Sequence, residues 1–479
     1  MNKKRTVIYG PPGTGKTYTL KKIVEEYKRK GIPDNKIGMV SYTKTAANVL
    51  TRRINLNTDW SGTLHALAFK QAGLIREQII SKQKINEFLE KYNFDVINSK
   101  YGENFITLYN YARSINNRNF DKVYKMRQKY LTFAKHQFRF FCRMYEAWKE
   151  SNGYLDFNDV LELGKASPIP DIDLLFIDEA QDLSRLQWEL IDTWSLEIPI
   201  IYIAGDDDQA IYGFNGGDFE GMTNFEKEYK AKRIYLNHSH RLPEVIHKKA
   251  KKLYPYMGKR VPKLLIPKKT PGEIKIFNHI DKIPNIYGEE NILILYRNHT
   301  LRNEIEDYLI RKRLPYVIES GAPGLLHTPE AKKAILYTQT RHQIVKHGYE
   351  PSKKLLTKLA TGMFRKYSAA FNKGKYEDYI HLKWDKVYNF DPLKKHYILN
   401  IQEMYGLEKR PTIRLNTMHG AKGEEADTVI LLDSMGGLTA ENIQDTVHIE
   451  ARVFYVAMTR TKERLWIVQG ENPFLIGKI

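Results

Sequence analysis

An α/β fold with two parallel-sheet cores, each carrying a mainly helical insertion, is predicted by three features of this sequence. Short apolar runs stop abruptly at polar or acidic residues, as residues 174–177 do at Asp178 and Glu179, which is how parallel strands present their carboxyl ends to a ligand. These runs fall into two groups along the chain. Between them, the stretches 70–150 and 321–409 lack such runs and are rich in Lys, Tyr, Phe and helix formers.

Taken in order, residues 6–9 form a short apolar strand that runs into a glycine-rich turn and then a helical stretch from about Lys16. Runs at 174–177 and 200–204, the second ending at Gly205 and Asp206, add strands to the same core. A second set at 291–296, 414–416, 428–432 and 464–468 marks the other core. The expected organisation is therefore a first domain over 1–69 and 151–236, interrupted by a helical insertion over 70–150, and a second over 237–320 and 410–479, interrupted by a helical insertion over 321–409. No repeat of fixed period and no Pro- or Ser-rich linker is present, so the insertions are expected to pack on the cores.

A chain of 479 residues is long enough for about three or four compact units. Its 42% hydrophobic and 28% charged content excludes a chain dominated by disorder or low complexity. Lys and Arg number 76 against 56 Asp and Glu, and the net charge of +20 favours a polyanionic partner. The surplus is concentrated: 70–150 and 321–409 each hold sixteen basic and eight acidic residues. Two readings follow, solvated helical faces or the flanks of a nucleic-acid track. Cys142 is the single cysteine, too few for an intrachain disulfide or a multi-Cys metal site. With neither a signal-peptide run at the start nor an apolar stretch of membrane length, a soluble cytoplasmic protein is expected, with no membrane partner.

Gly10-Pro11-Pro12-Gly13-Thr14-Gly15-Lys16-Thr17 fits G-x-x-x-x-G-K-[ST] and sits between a strand and a helix, where a P-loop belongs. Glycines let backbone N–H groups turn inward around phosphate oxygens, Lys16 neutralises the β- and γ-phosphates, and the Thr17 hydroxyl is a ligand for Mg²⁺. Asp178 and Glu179 supply what the loop lacks, Asp178 to hold Mg²⁺ through water and Glu179 to polarise the attacking water.

Further segments narrow the class of NTPase. Ser41-Tyr-Thr-Lys-Thr-Ala-Ala47, Gly62-Thr-Leu-His65, Ile177-Asp-Glu-Ala-Gln-Asp182, Gly205-Asp-Asp-Asp-Gln-Ala-Ile-Tyr212, Thr417-Met-His-Gly-Ala-Lys-Gly-Glu-Glu425 and Tyr455-Val-Ala-Met-Thr-Arg460 occur in that order. The chain thereby resembles the UvrD, Rep and PcrA group of superfamily 1 helicases, with a reduced second insertion. The resemblance implies two RecA-like cores with ATP between them. By it, Gln209 is the γ-phosphate sensor and water-orienting group, and Arg241 and Arg460 are arginine fingers from the second core. Gly423 and Glu425 match positions along the phosphates and ribose, while Tyr18 and His240 stand at the two positions flanking the base.

For DNA, the family pattern points to Tyr42, Tyr212 and Phe214 as stacking rings, with Thr63, His65 and His419 near the sugar-phosphate path. Arg297 matches an arginine near the cleft, or makes a phosphate contact. Stacking suits a motor that must grip any base. Some positions depart from the pattern. Only nine residues precede Gly10, so the adenine-reading segment is expected to be missing and other nucleoside triphosphates to serve; Asn215 replaces a DNA-contacting Arg, and Lys44-Thr45 replaces Asn-Lys.

The expected function is an ATP- and Mg²⁺-dependent DNA helicase that moves 3′ to 5′ on single-stranded DNA and engages junctions of single and double strands. Two alternatives stand beside it: a DNA-stimulated translocase that remodels without unwinding, and an ATP-gated DNA clamp.

Overall fold

The computed structural model describes residues 3–42, 47, 51, 54–94, 104–286, 291–318, 329–405 and 411–475. Its chain divides into two compact units, one formed by residues 1–270 with 442–459 and the other by 271–441 with 460–479.

In the first unit, β1 (Lys4–Tyr9), β2 (Ile37–Val40), β3 (Ser61–Gly62), β4 (Leu174–Ile177), β5 (Ile200–Gly205) and β6 (Lys232–Tyr235) form one sheet in the order β3-β2-β4-β5-β1-β6. Every pairing is parallel. The strands β2, β4 and β5 are buried along their whole length, which explains why they read as unbroken apolar runs rather than as alternation. Two further strands, β7 (His238–Pro243) and β8 (Ile266–Lys268), pair with each other outside this sheet.

The helices Lys82–Lys91, Phe105–Ser114 and Phe120–Arg127 lie within the first basic stretch, and Lys135–Asn152 runs two residues past its end. They have a hydrophobic core of their own, built largely from rings: Phe88, Phe105, Phe138, Phe141, Tyr145 and Trp148 are all buried in it. A buried ion cluster fastens that core to the helix Phe157–Ala166, which packs under the sheet. Lys149 donates to Asp156 Oδ2 at 2.8 Å, Asp159 Oδ2 at 2.7 Å and the Tyr109 hydroxyl at 3.0 Å. Arg113 reaches Asp159 Oδ1 at 3.0 Å and Glu146 Oε1 at 3.1 Å.

In the second unit, β9 (Glu273–Phe277), β10 (Ile292–Tyr296), β11 (Tyr316–Ile318), β12 (Ile413–Thr417), β13 (Ala426–Asp433) and β14 (Thr461–Gln469) form a second parallel sheet in the order β11-β12-β10-β13-β14-β9. The helices Pro329–His347, Lys353–Ala360, Arg365–Asn372, Trp384–Val387 and Pro392–Tyr405 lie within the second basic stretch. Unlike the first set, they share one core with the sheet: Tyr337, Trp384, Tyr388 and Tyr397 are buried together with Ile294, Tyr296 and Leu415. Tyr397 donates its hydroxyl to Leu314 O at 2.8 Å.

The sequence reading starts the second core at residue 237, whereas 237–270 belong with the first unit in the structure. The reason is local: β7 is hydrogen-bonded to the P-loop, His240 N–H to Gly13 O at 2.9 Å and Ser239 Oγ to Pro12 O at 2.8 Å. The helix Ile443–Met458 joins the same unit through Arg452, which donates to the carbonyls of Asp207 at 3.1 Å, Met257 at 2.6 Å and Lys259 at 2.7 Å. Among the described residues no helix is long and apolar enough to cross a membrane.

Removing Lys149 leaves Asp156 and Asp159 as buried carboxylates with a cation missing. Lys149→Met is therefore expected to lower the unfolding free energy by about 3 kcal/mol or more, read by urea titration followed by tryptophan fluorescence. Lys91→Met, at an exposed position of the same helical group, should stay within about 0.5 kcal/mol of wild type.

Candidate nucleotide and nucleic-acid site

Parallel pairing brings the ends of β1, β5 and β4 to one edge, with Tyr9 opposite Gly205 and Ile177 opposite Ile203. The P-loop leaves β1 at that edge, and Gly10 N–H donates to Gly205 O at 3.0 Å. Gly13 and Gly15 take left-handed backbone angles, φ 73° and 80°, that turn the loop into the helix Lys16–Arg29. At Gly13 a side chain would also collide, because a Cβ there would stand 2.5 Å from Arg241 Cβ. Pro11, Pro12 and Thr14 are buried, and Thr14 closes the loop by donating its hydroxyl to Pro11 O at 2.8 Å.

Lys16 folds back over the loop, donating to Gly10 O at 2.9 Å with its ammonium 3.9 Å from Glu179 Oε1. Thr17 lies in the first helical turn, partly buried, and Tyr18 is exposed with the Lys22 ammonium 4.6 Å from its ring centre. Arg241 sits on β7 against Gly13, beside His240, whose side chain is exposed. Arg241 therefore belongs to the first unit and not, as the sequence reading had it, to the second. Thr17 and Asp178 offer hydroxyl and carboxylate oxygens, the donors Mg²⁺ takes, and Asp178 is nearly buried at the end of β4 beside the P-loop strand pair. This donor set fits the ion.

A hydrogen-bond chain joins the acidic pair to Gln209. Glu179 adopts φ 54° and accepts from Gln181 Nε2 at 2.7 Å; Gln181 Oε1 accepts the Asp206 N–H at 2.9 Å; Asp206 Oδ2 accepts from Gln209 Nε2 at 2.8 Å. Gly205 makes room for it, since a Cβ there would lie 2.4 Å from Gln181 Oε1. The three consecutive aspartates are buried with cations. Lys263 Nζ stands 3.0 Å from Asp206 Oδ1 and 3.1 Å from Asp208 Oδ2 and also pairs with Asp207, while Arg260 grips Asp208 with two hydrogen bonds of 2.9 and 2.7 Å. Burial alone would lower the Lys263 pKa, but the three carboxylates outweigh it and hold the ammonium charged. Gln181, Arg260, Lys263 and Arg452 are absent from the sequence-derived site. The run of three aspartates at a strand end was the available signal, because such a run cannot be buried without nearby cations.

The expected DNA contacts of the first unit follow the ends of β2, β3 and β5. Tyr42 and Tyr212 stack on each other, ring centres 4.8 Å apart at 24°, and Phe214 is the more open ring, 46% exposed and 6.0 Å from Tyr212. Thr63 caps the helix Leu64–Gln71, accepting from Ala66 N–H at 3.3 Å. His65 meets Phe157 edge-on at 5.6 Å. Phe157 was not anticipated; at 62% exposure it is a large ring left open beside the Thr63 and His65 turn. The helical insertion supports the aromatic loop, Ser114 donating its hydroxyl to Asn215 O at 3.0 Å and Arg127 donating to Phe214 O at 3.4 Å. Lys44 and Thr45 lie outside the described residues.

In the second unit, Arg297 follows β10 and bears electrostatically on His419, which follows β12. Gly423 has φ 84° with open space where a side chain would be. The Glu425 carboxylate lies 2.8 Å from Lys462 Nζ, and its carbonyl accepts from Arg414 at 2.9 Å. Arg460 is buried and donates to Glu424 O at 3.4 Å.

Burial pushes His65 down to about 4, and burial with the Arg297 and Lys422 charges pushes His419 down to about 3. Both rings are neutral near pH 7. In the unfolded chain they titrate near 6.5, so the unfolded state takes up protons first, and stability present above that pH is lost as pH falls toward 4. His65→Gln and His419→Gln should each flatten the fall in unfolding free energy between pH 6.5 and about 4.5 in urea titrations; an unchanged slope contradicts the assignment.

Residues 1–230 match the UvrD/REP helicase N-terminal domain, and residues 385–472 match the UvrD-like helicase C-terminal domain. Over 383 residues the chain is 26% identical to DNA helicase II of Haemophilus influenzae, covering 69% of this chain and 51% of that protein. Over 203 residues it is 24% identical to the ATP-dependent DNA helicase PcrA of Staphylococcus aureus, covering 37% of this chain and 28% of that protein. The chain thus spans about half the length, or less, of these relatives. Matched towards both ends by the two domains of a single family, and carrying that family's motifs along two parallel sheets, the chain belongs to the UvrD-like helicases.

Proposed function

We propose that this chain is an ATP-dependent DNA helicase that steps 3′ to 5′ along single-stranded DNA and opens duplex at a junction of single and double strands. The observation that carries the reading is the hydrogen-bond chain Glu179–Gln181–Asp206–Gln209, which ties a water-polarising carboxylate to a phosphate-sensing amide three residues before the Tyr212 ring. Relatives named as DNA helicases support the substrate and the nucleotide.

On this reading the P-loop amides and the helix start at Lys16 take the phosphates, and the Lys16 ammonium neutralises their outer oxygens. Glu179 accepts a proton from the attacking water, and Gln209 orients that water. Arg241 and Arg460 are the cations for charge developing on the transferred phosphoryl group. Thr17 and Asp178 would hold Mg²⁺, which would supply positive charge against the phosphate oxygens. Tyr18 and His240 face the base, with Gly423 and Glu425 on the phosphate and ribose side. Phe214 offers an open face to a base, the Tyr42 and Tyr212 stack sits behind it, and Thr63, His65, Arg297 and His419 contact the backbone. Stacking is worth about 1–3 kcal/mol per base whatever its identity, which suits stepping.

Lys16→Ala is expected to cut DNA-stimulated hydrolysis by about 100-fold or more while leaving thermal unfolding nearly unchanged, because the side chain contacts the loop carbonyl and Glu179 and fills no core. Duplexes with 3′ or 5′ single-stranded tails test the direction: displacement from 3′ tails alone supports the proposal. Hydrolysis without displacement would indicate a remodelling translocase, and nucleotide-dependent DNA binding without turnover a clamp. Affinity for single strands should fall steeply with salt, in proportion to the phosphates neutralised.

A further inference from the structure

We infer that Lys263 is a positioning residue for hydrolysis: through Asp206 it fixes which end of the Gln209 amide faces the reacting water. This inference rests on the function proposed above and names a part of its machinery.

An ionised aspartate only accepts hydrogen bonds, so the Gln209 atom that meets Asp206 Oδ2 at 2.8 Å must be the NH₂ group. The amide oxygen is thereby committed to the opposite side, where it can accept a hydrogen bond from water. If the Asp206 carboxylate rotated away, both amide orientations would become available and one of the two would present a donor in place of an acceptor. The orientation of Asp206 is thus the orientation of Gln209.

Three groups set the Asp206 carboxylate. Oδ2 is occupied by Gln209, Oδ1 lies 3.0 Å from the Lys263 ammonium, and Oδ1 also accepts the Asp208 N–H at 3.3 Å. The Asp206 side chain is fully buried and that of Lys263 is 1% exposed. Water therefore does not substitute for the lysine there. Without the ammonium, Asp206 would sit in a dry turn beside two more carboxylates, Asp207 and Asp208, and mutual repulsion would favour its rotation away from Gln209. Arg260 does not replace it, since both its hydrogen bonds go to Asp208, and Arg452 reaches the Asp207 carbonyl. The link to Glu179 leaves Asp206 by its backbone N–H, which donates to Gln181, so it does not run through the carboxylate that Lys263 holds.

The test compares the wild-type chain with Lys263→Met, with Asp207→Asn, and with the pair combined. The pair removes one positive and one negative charge together, so it keeps a folded comparison if the single lysine variant unfolds. DNA-stimulated kcat should fall by about tenfold or more in the combined variant, with KM for ATP and affinity for single-stranded DNA within about twofold. Asp207→Asn alone should keep most of the turnover. Repeating the comparison in a Gln209→Ala background separates positioning from general damage: with the amide gone, losing Lys263 should cost no further turnover. An unchanged kcat, or an equal loss with and without Gln209, overturns the inference. A wild-type chain with no DNA-stimulated hydrolysis would instead overturn the function on which it rests.

Discussion

The whole candidate nucleotide site of the first unit depends on the register of three neighbouring parallel strands that end within two residues of one another. In a parallel sheet the register decides which residues leave each strand together, and here Tyr9 stands opposite Gly205 while Ile177 stands opposite Ile203. The P-loop, Asp178 with Glu179, and Asp206 therefore emerge side by side. A slip of one residue in β4 would send each of its side chains to the other face of the sheet and carry Asp178 into the apolar layer. The cost of burying that carboxylate in the apolar layer is what opposes the slip. Chemistry at the edge is thus fixed by packing in the middle.

Packing alone does not hold the polar edge in place, and the first unit uses the same electrostatic device twice. At Asp206, Asp207 and Asp208, Lys263 and Arg260 compensate buried carboxylates in a turn that has no apolar side to bury. At Asp156 and Asp159, Lys149 and Arg113 do so where the helical insertion meets the helix beneath the sheet. Desolvating such groups costs several kcal/mol per ion, so pairs of this kind add little net stability compared with an apolar contact. Their value is directional. An apolar contact tolerates a small rotation, whereas a lysine shared among carboxylates does not.

How much of this was legible follows from where the signals lie in the chain. The strands β1, β4, β5, β10 and β13 were readable because nearly all of their residues are buried, β12 and β14 because each keeps a shorter buried stretch, and the P-loop and the acidic pair because their residues are contiguous. Strand β6 was not readable, since most of it is exposed and Lys232 and Arg233 break any apolar pattern. The assignment of Arg241 to the second core failed because it used motif order, while β7 is held by backbone hydrogen bonds to the P-loop that carry no sequence signature. Lys263 lies 55 residues beyond Asp208, too far for any spacing rule. The aspartate run announced that cations must be near without saying which. The two basic stretches also looked alike by charge, yet one has its own aromatic core and the other shares the core of its sheet. Charge counts describe surfaces and are silent on which buried rings meet.

These features converge on one short segment. Residues 206–217 contain the amide assigned to the phosphate and the rings assigned to the bases, and both ends of the segment are fixed. One end is caged by Lys263 and Arg260; at the other, the insertion donates to the Asn215 and Phe214 carbonyls. Close packing reinforces the second end, because at Gly216 even a Cβ would stand 2.1 Å from Ser114 Oγ. A segment free at both ends would absorb a small displacement of Gln209 by local bending. A segment gripped at both ends cannot, since packed interiors resist continuous deformation. On the proposed function, a shift at the phosphate must then either move Tyr212 and Phe214 with it or break one of the two grips. The helical insertion accordingly enters the account as the fixed support against which the aromatic loop is held, in addition to any surface it offers to DNA.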